Sequence, residues 1–195
     1  MDPRLLLSTL GTVSRAVPAE IAQRTGVDEE HVAAALAGLE RGGFVQRDGE
    51  GAYRLPPRSE GEARELYVVA ILLEGIALRS CPRFSPEDLA ALRAANDRLR
   101  AATGEAEAVD ADDDFHRLLV ASCGNEQLIE SHTAAKAALL RYERTYFNDK
   151  GRNERSAAEH DAVVEALERG DHAAAAGAVR RNFESSLPDL TRDLS

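Results

Sequence analysis

Cysteine is scarce in this sequence: its 195 residues include two, Cys81 and Cys123, too few for a disulfide framework. Aromatic residues make up only 5% of the chain against 44% hydrophobic overall, so a core has to be assembled mainly from Leu, Val and Ala. That composition suits packed helices, and a mainly α protein is expected. Long apolar runs are also missing, since charges interrupt every hydrophobic stretch before the ~20 residues that a bilayer span needs. The opening "MDPRLLLSTL" has an acidic second residue and no apolar segment of signal length. The expectation is a soluble, cytoplasmic protein with no membrane partner.

A basic excess is absent as well. The formal net charge is -10, and it is unevenly placed: 7 Arg/Lys stand against 8 Asp/Glu through residue 58, and 17 against 26 beyond it. A nucleic-acid footprint therefore belongs to the first 58 residues, as a local patch, because the acidic remainder repels DNA.

The length accommodates a small domain over 1–58 and a larger one over 59–195. Pro3 to Leu10 reads as a short helix, and "VPAEIAQRTG" as a second, with Pro18 in its first turn and Gly26 just past its end. "VDEEHVAAALAGLERGG" makes a third, capped by Asp28 and stopped by Gly42 and Gly43. "FVQRDGEGAYRLPP" then reads as two short strands around a Gly-containing turn. Three helices and a hairpin follow the order of a winged helix-turn-helix. The stretch from Leu5 to Leu55 resembles the DNA-binding domain of IclR-type and related bacterial regulators. The resemblance implies a recognition helix from Asp28 to Arg41 and a wing in the hairpin. Arg15, Arg24, Arg41, Arg47 and Arg54 are the candidate phosphate contacts, with His31 as a polar reader. Against this, the recognition helix opens on Asp28, Glu29 and Glu30, where contacts to DNA usually come from basic or amide side chains. A winged helix kept for protein contacts is the competing reading.

From "SEGEARELYVVAILLEGIALRS" onward helix follows helix. "SPEDLAALRAANDRLRAA" starts with Ser85 as N-cap, Pro86 in the first position and Asp88 completing a capping box. Further helices are expected over about 109–123, 125–148, 153–169 and 171–186, which together imply an antiparallel all-α bundle. Apart from the alanine run 173–176 there is no repeat or low-complexity tract.

Within this bundle, "DADDDFHRLLVASCGN" places Asp112, Phe115, His116 and Leu119 on one apolar stripe, and "EHDAVVEALERGD" does the same for His160, Val163, Val164 and Leu167. Such residues fit two arrangements: a buried Asp–His hydrogen bond, or the ligands of a divalent metal. These stretches, together with "DHAAAAGAVRRNF", are similar to the C-terminal effector domain of FadR-type regulators in the GntR family, the FCD domain, over most of residues 60–190. The resemblance implies a metal (Zn, Ni, Mn or Fe) beside a small organic acid. Asp112, His116 and His160 match three of its ligand positions, and the fourth, histidine in metal-binding members, falls on Asn182. A family arginine expected four residues before Glu74 is replaced by Ala70.

His132 is a candidate for the same cavity, and Arg141 and Arg144 are candidates for a carboxylate effector, with surface ion pairs as their alternative. His172 in the "GDH" turn is expected to be solvated, and Cys123 to serve packing. The function expected is a ligand-responsive transcription regulator that binds double-stranded DNA as a homodimer and responds to a small carboxylate. The alternative is a metal-dependent enzyme with a two-histidine, one-carboxylate site on a regulator scaffold that has lost DNA binding.

Overall fold

The structure is a computed structural model, and it describes residues 3–13, 15–81, 83–147 and 149–194, less the side chains of Thr145 and Asp193. The chain divides into two compact units, one up to Arg58 and one from Ser59 onward. The expected domain ends at 1 and 195 lie outside the described residues. The fold is mainly α.

The first unit holds α1 (Pro3–Val13), α2 (Pro18–Thr25), α3 (Glu29–Arg41), β1 (Gln46–Arg47) and β2 (Tyr53–Arg54). Pro18 occupies the first turn of α2, and Gly26 ends it at φ 71, its N–H donating to the Ala22 carbonyl. Asp28 caps α3 by accepting from the N–H groups of Glu30 and His31. The buried side chains Leu6, Leu10, Ile21, Val32 and Leu36 come from all three helices and form one core. The strands pair antiparallel, Gln46 with Arg54 and Arg47 with Tyr53, and Ala16 bridges to Tyr53. Between them the Asp48 side chain accepts from the N–H groups of Glu50 and Ala52, closing the wing turn.

The second unit contains α4 (Glu60–Ser80), α5 (Pro86–Ala101), α6 (Glu105–Ala121), α7 (Glu126–Tyr146), α8 (Lys150–Glu168) and α9 (His172–Thr191), followed by a short 3-10 turn, Arg192–Leu194. Ser85 and Asp88 cap α5 reciprocally: Ser85 Oγ accepts from the Asp88 N–H, and the Asp88 carboxylate accepts from the Ser85 N–H. Consecutive helices pack on one another, α5 on α6, α6 on α7 and α8 on α9, while α4 lies against α7 and α9 and α5 against α8.

Four boundaries differ from expectation by three residues or more: α1 continues past Leu10 to Val13, α8 begins at Lys150 rather than near 153, and α6 and α9 are each longer at one end. α6 begins at Glu105 rather than near 109, because Gly104 can serve as its N-cap without a side-chain bond. α9 runs through Pro188 to Thr191 instead of stopping at 186. The proline forgoes one helical N–H, but Leu190 and Thr191 bury beyond it and Asp189 is held by Arg155 at 2.6 Å, so the last turn persists. The expected end of α7 at 148 lies outside the described residues.

A candidate metal centre in the bundle

Both stripes point inward. Asp112, Phe115, His116 and Leu119 on α6, and His160, Val163, Val164 and Leu167 on α8, are all buried. Phe115 stacks on the His160 ring at 3.8 Å and 3°, and Phe183 of α9 lies 4.9 Å from the His116 ring, so the imidazoles are held between aromatic walls.

Among the described residues, Asp112, His116 and His160 each present a ligand atom, and these atoms lie within 4.8 Å of one another. His116 Nε2 is 3.8 Å from Asp112 Oδ2, and His160 Nε2 is 3.6 Å from Asp112 Oδ1. Ligands about 2.1 Å from a tetrahedral ion stand about 3.4 Å apart, so these two separations need shrink by only tenths of an ångström to grip one.

The outer hydrogen bonds set which ring nitrogens face inward. His160 Nδ1 is 3.1 Å from Asn96 Oδ1, while the Asn96 amide nitrogen donates to the Ala157 carbonyl and to Asp161. The amide oxygen can only accept, so Nδ1 carries the proton and Nε2 presents its lone pair. That Nε2 is buried with no hydrogen-bond partner. His116 Nδ1 is 2.9 Å from Glu74 Oε2, which likewise directs its Nε2 toward Asp112. An orphaned imidazole lone pair aimed at a carboxylate is costly as it stands, and a divalent ion would satisfy both groups, so the donor set fits one.

The electrostatics are mixed. Burial pushes the His160 imidazolium down to about 3, so this ring is neutral. Burial also disfavours charge on His116, but Glu74 and Asp112 outweigh it and the ring titrates above the usual histidine range. An ion would take the place of that proton. Burial would raise the Glu74 carboxyl, yet the His116 and His132 rings beside it hold it down at about 2.

The fourth predicted ligand, Asn182, lines the same small cavity as Asp112, His116, Tyr67, Phe183 and Ser186, with room for about one water. Its amide nitrogen donates to Glu159 Oε2 at 2.9 Å, leaving the carbonyl oxygen as its potential ligand atom. The effector candidates are not brought there. His132 is buried, but its Nε2 is spent on Glu74 Oε1 at 2.9 Å. Arg141 pairs with Glu62, which also accepts from the Tyr142 hydroxyl, and Arg144 is exposed. The reason is helix phase: His132, Lys136, Leu139 and Glu143 share the inner face of α7, and positions 141 and 144 fall off it. His172, expected in solvent, is half-buried, its ring bonded to the Leu78 carbonyl at 2.7 Å.

Of the DNA candidates, Arg15 is held by Asp48 at 2.7 Å and Glu50 at 2.6 Å, both on the wing turn. His31 is 77% exposed, 3.3 Å from Asp28. Arg47 and Arg54 face solvent on β1 and β2, Arg47 over the Tyr53 ring.

Sequence reasoning missed Lys136, Glu143 and Asn96. The available signal was spacing: Asn96 shares a buried stripe with Leu92 and Leu99, and Lys136 and Glu143 share one with Leu139.

Residues 65–185 match the FCD domain, and the chain belongs to that family. None of the curated proteins matches the sequence. Among solved structures it is similar to E. coli McbR/YncC, at 16% identity and TM-score 0.78 over 100% of this chain and 95% of that one. It is also similar to a transcriptional regulator of the GntR family from Pseudomonas syringae pv. tomato, at 22% identity and TM-score 0.58 over 92% of this chain and 76% of that one. A third match, described as the metal-free FCD domain of TM0439, has 17% identity and TM-score 0.60 over 71% of this chain and 98% of that one.

Proposed function

We propose that this chain is a ligand-responsive transcription regulator of the GntR type that binds double-stranded DNA as a homodimer and senses a small organic acid beside a divalent metal. The observation that carries the reading is the buried, unpartnered His160 Nε2 facing Asp112 within an FCD bundle that follows a winged helix-turn-helix unit. Asp112, His116 and His160 would hold the ion, with the Asn182 carbonyl oxygen as a weaker, hard fourth ligand. The ion would supply a Lewis-acid contact for a carboxylate, since the candidate arginines lie off the inner face of α7.

A second copy is supported by α4. Val68, Val69, Leu72 and Ile76 are 43–55% exposed and lie on one face of that helix, opposite Glu74. Dimerisation through this stripe would set the spacing of two winged helices for half-sites about one helical turn apart. An acid that bound one arrangement better would shift the population between spacings.

The test is capture of sheared genomic DNA by the purified full-length protein at moderate salt, with bound metal quantified in the same sample. Enrichment of one short, near-palindromic site is the expected result. Stoichiometric metal with no enrichment over competitor DNA would overturn the regulator reading. It would favour the second one, a metal-dependent enzyme, which the acidic start of α3 and the tethering of Arg15 by Asp48 and Glu50 support.

A further inference from the structure

A cradle for a divalent cation gains nothing from a second cation beside it, yet Lys136 carries its ammonium there. The side chain is buried, with Nζ donating to Glu143 Oε1 at 2.7 Å and to Asp112 Oδ2 at 3.3 Å. Nζ also lies 5.8 Å from the centre of the Phe183 ring, the same ring that walls His116. Asp112 Oδ2 is the oxygen that faces His116 Nε2, so Lys136 and a metal would compete for one ligand atom. The shorter contact is to Glu143, whose second oxygen is buried without a hydrogen-bond partner. Two carboxylates on neighbouring helices therefore share one tethered ammonium, and Glu143 can retain it when Asp112 is taken.

We propose that Lys136 is an internal counter-cation that neutralises Asp112 when no metal is bound, weakening metal affinity and making uptake reversible without unfolding the bundle. The inference rests on the metal reading of Asp112, His116 and His160. Its physical basis is that a carboxylate buried without a cation is strongly unfavourable, so a site lacking such a lysine would depend on its metal to fold. With Lys136 present the apo protein is already charge-compensated at Asp112. The same ammonium then opposes an incoming ion: charges about 4 Å apart in a protein interior repel enough to change affinity by roughly tenfold to a thousandfold, less whatever is recovered as the lysine turns to Glu143.

The experiment measures Zn(II) affinity of the full-length wild type, Lys136→Met, His160→Ala and Lys136→Met/His160→Ala by competition with a chromophoric chelator, together with thermal midpoints with and without Zn(II). Lys136→Met keeps the apolar stem and removes the charge. We expect it to bind Zn(II) at least about tenfold more tightly than wild type and to gain a larger rise in midpoint on Zn(II) addition. His160→Ala should abolish the high-affinity site in both backgrounds. Should Lys136→Met fail to fold with Glu143 unpaired, the pair Lys136→Met/Glu143→Gln, compared with Glu143→Gln alone, carries the same expectation. Binding that appears only once Lys136 is removed would show that the ammonium blocks the site and would overturn reversible uptake by the wild type. Equal or weaker affinity in Lys136→Met, with wild-type binding still lost in His160→Ala, would overturn the role of Lys136 and leave the metal site standing. Absence of His160-dependent binding in wild type and Lys136→Met alike would overturn both.

Discussion

His160 and Asn96 meet across α8 and α5 at 3.1 Å, Nδ1 to Oδ1, and this bond decides that the other ring nitrogen faces Asp112 with its lone pair free. Asn96 is itself fixed by donating to the Ala157 carbonyl and to Asp161. Partners of this kind, one bond removed from a metal, typically change affinity by about 10–100-fold when lost. Asn96→Ala should therefore weaken Zn(II) binding by about that factor while far-UV circular dichroism stays helical. Unchanged affinity in a chelator competition would show that the ring is oriented by the Phe115 stack alone.

Glu74 accepts from two imidazoles at once, His116 Nδ1 and His132 Nε2, each at 2.9 Å. Removing the carboxylate leaves two buried rings without their partner. We expect Glu74→Ala to destabilise the bundle by about 3–5 kcal/mol, the range seen when one member of a buried charged pair is deleted. Urea unfolding of the metal-free protein is the measurement, so that the loss is not confused with lost metal. A change below about 1 kcal/mol would mean the cavity left behind is refilled by water that bonds both rings.

The fold was legible wherever the cause is local. Asp28, Ser85, Asp88 and Gly26 act within a few residues of themselves, and their caps sit where the sequence places them. Helical phase likewise gave the inward direction of Asp112, His116 and His160, because their apolar neighbours share the stripe. Partner choice was not legible. Glu74 meets histidines 42 and 58 positions away, and nothing local distinguishes a carboxylate that orients an imidazole from one that binds a metal. Lys136 was hidden for a related reason: a long basic side chain on a helix normally reaches water, and only the packing of α6 against α7 brings Asp112 within its reach, beside Glu143 two turns along its own helix. Arg141 and Arg144 lie off the inner face of α7, because closeness in sequence to Tyr142 and Tyr146 does not set helical phase, and Arg141 forms an ion pair with Glu62 instead.

The exposed stripe of α4 yields a prediction about assembly. Leu72, 55% exposed, lies between Val68 and Ile76, one turn from each. A glutamate there leaves the monomer core untouched, since the buried face of α4 runs through Leu66, Ala70 and Glu74. Leu72→Glu should shift sedimentation from dimer to monomer with no loss of helicity. A wild-type monomer at micromolar concentration, or an unshifted dimer in the variant, would remove α4 from the interface.

The wing turn provides a pH-dependent group away from the metal centre. The Arg15 guanidinium at 2.7 Å holds the Asp48 carboxyl down at about 2, helped by the N–H groups of Ala52 and Glu50. Because the folded value lies below the ordinary 3.8, this contribution to stability is complete above that pH and is lost as pH falls through about 2. A carboxyl chemical-shift titration should find Asp48 near 2 in wild type and closer to its ordinary value in Arg15→Ala. Equal values in the two proteins would show that the turn's own N–H groups, not Arg15, set the shift.

If the first unit contacts DNA through its wing, the solvent-facing cations of the two strands are Arg47 and Arg54, while Arg15 is engaged by Asp48 and Glu50 on the wing turn. Both sit on the two-stranded wing, and contacts there fall on phosphates, which carry no base identity. Arg47→Ala and Arg54→Ala should each weaken binding about equally for specific and competitor DNA, and each should reduce the slope of log affinity against log salt by about 1. Glu29 and Glu30, exposed in the first turn of α3, should act oppositely: Glu29→Gln/Glu30→Gln removes two charges that repel the backbone and should strengthen binding at low salt. Fluorescence anisotropy across a salt series separates these effects. A slope that none of the four substitutions moves would mean that the winged helix does not lie on DNA through this face.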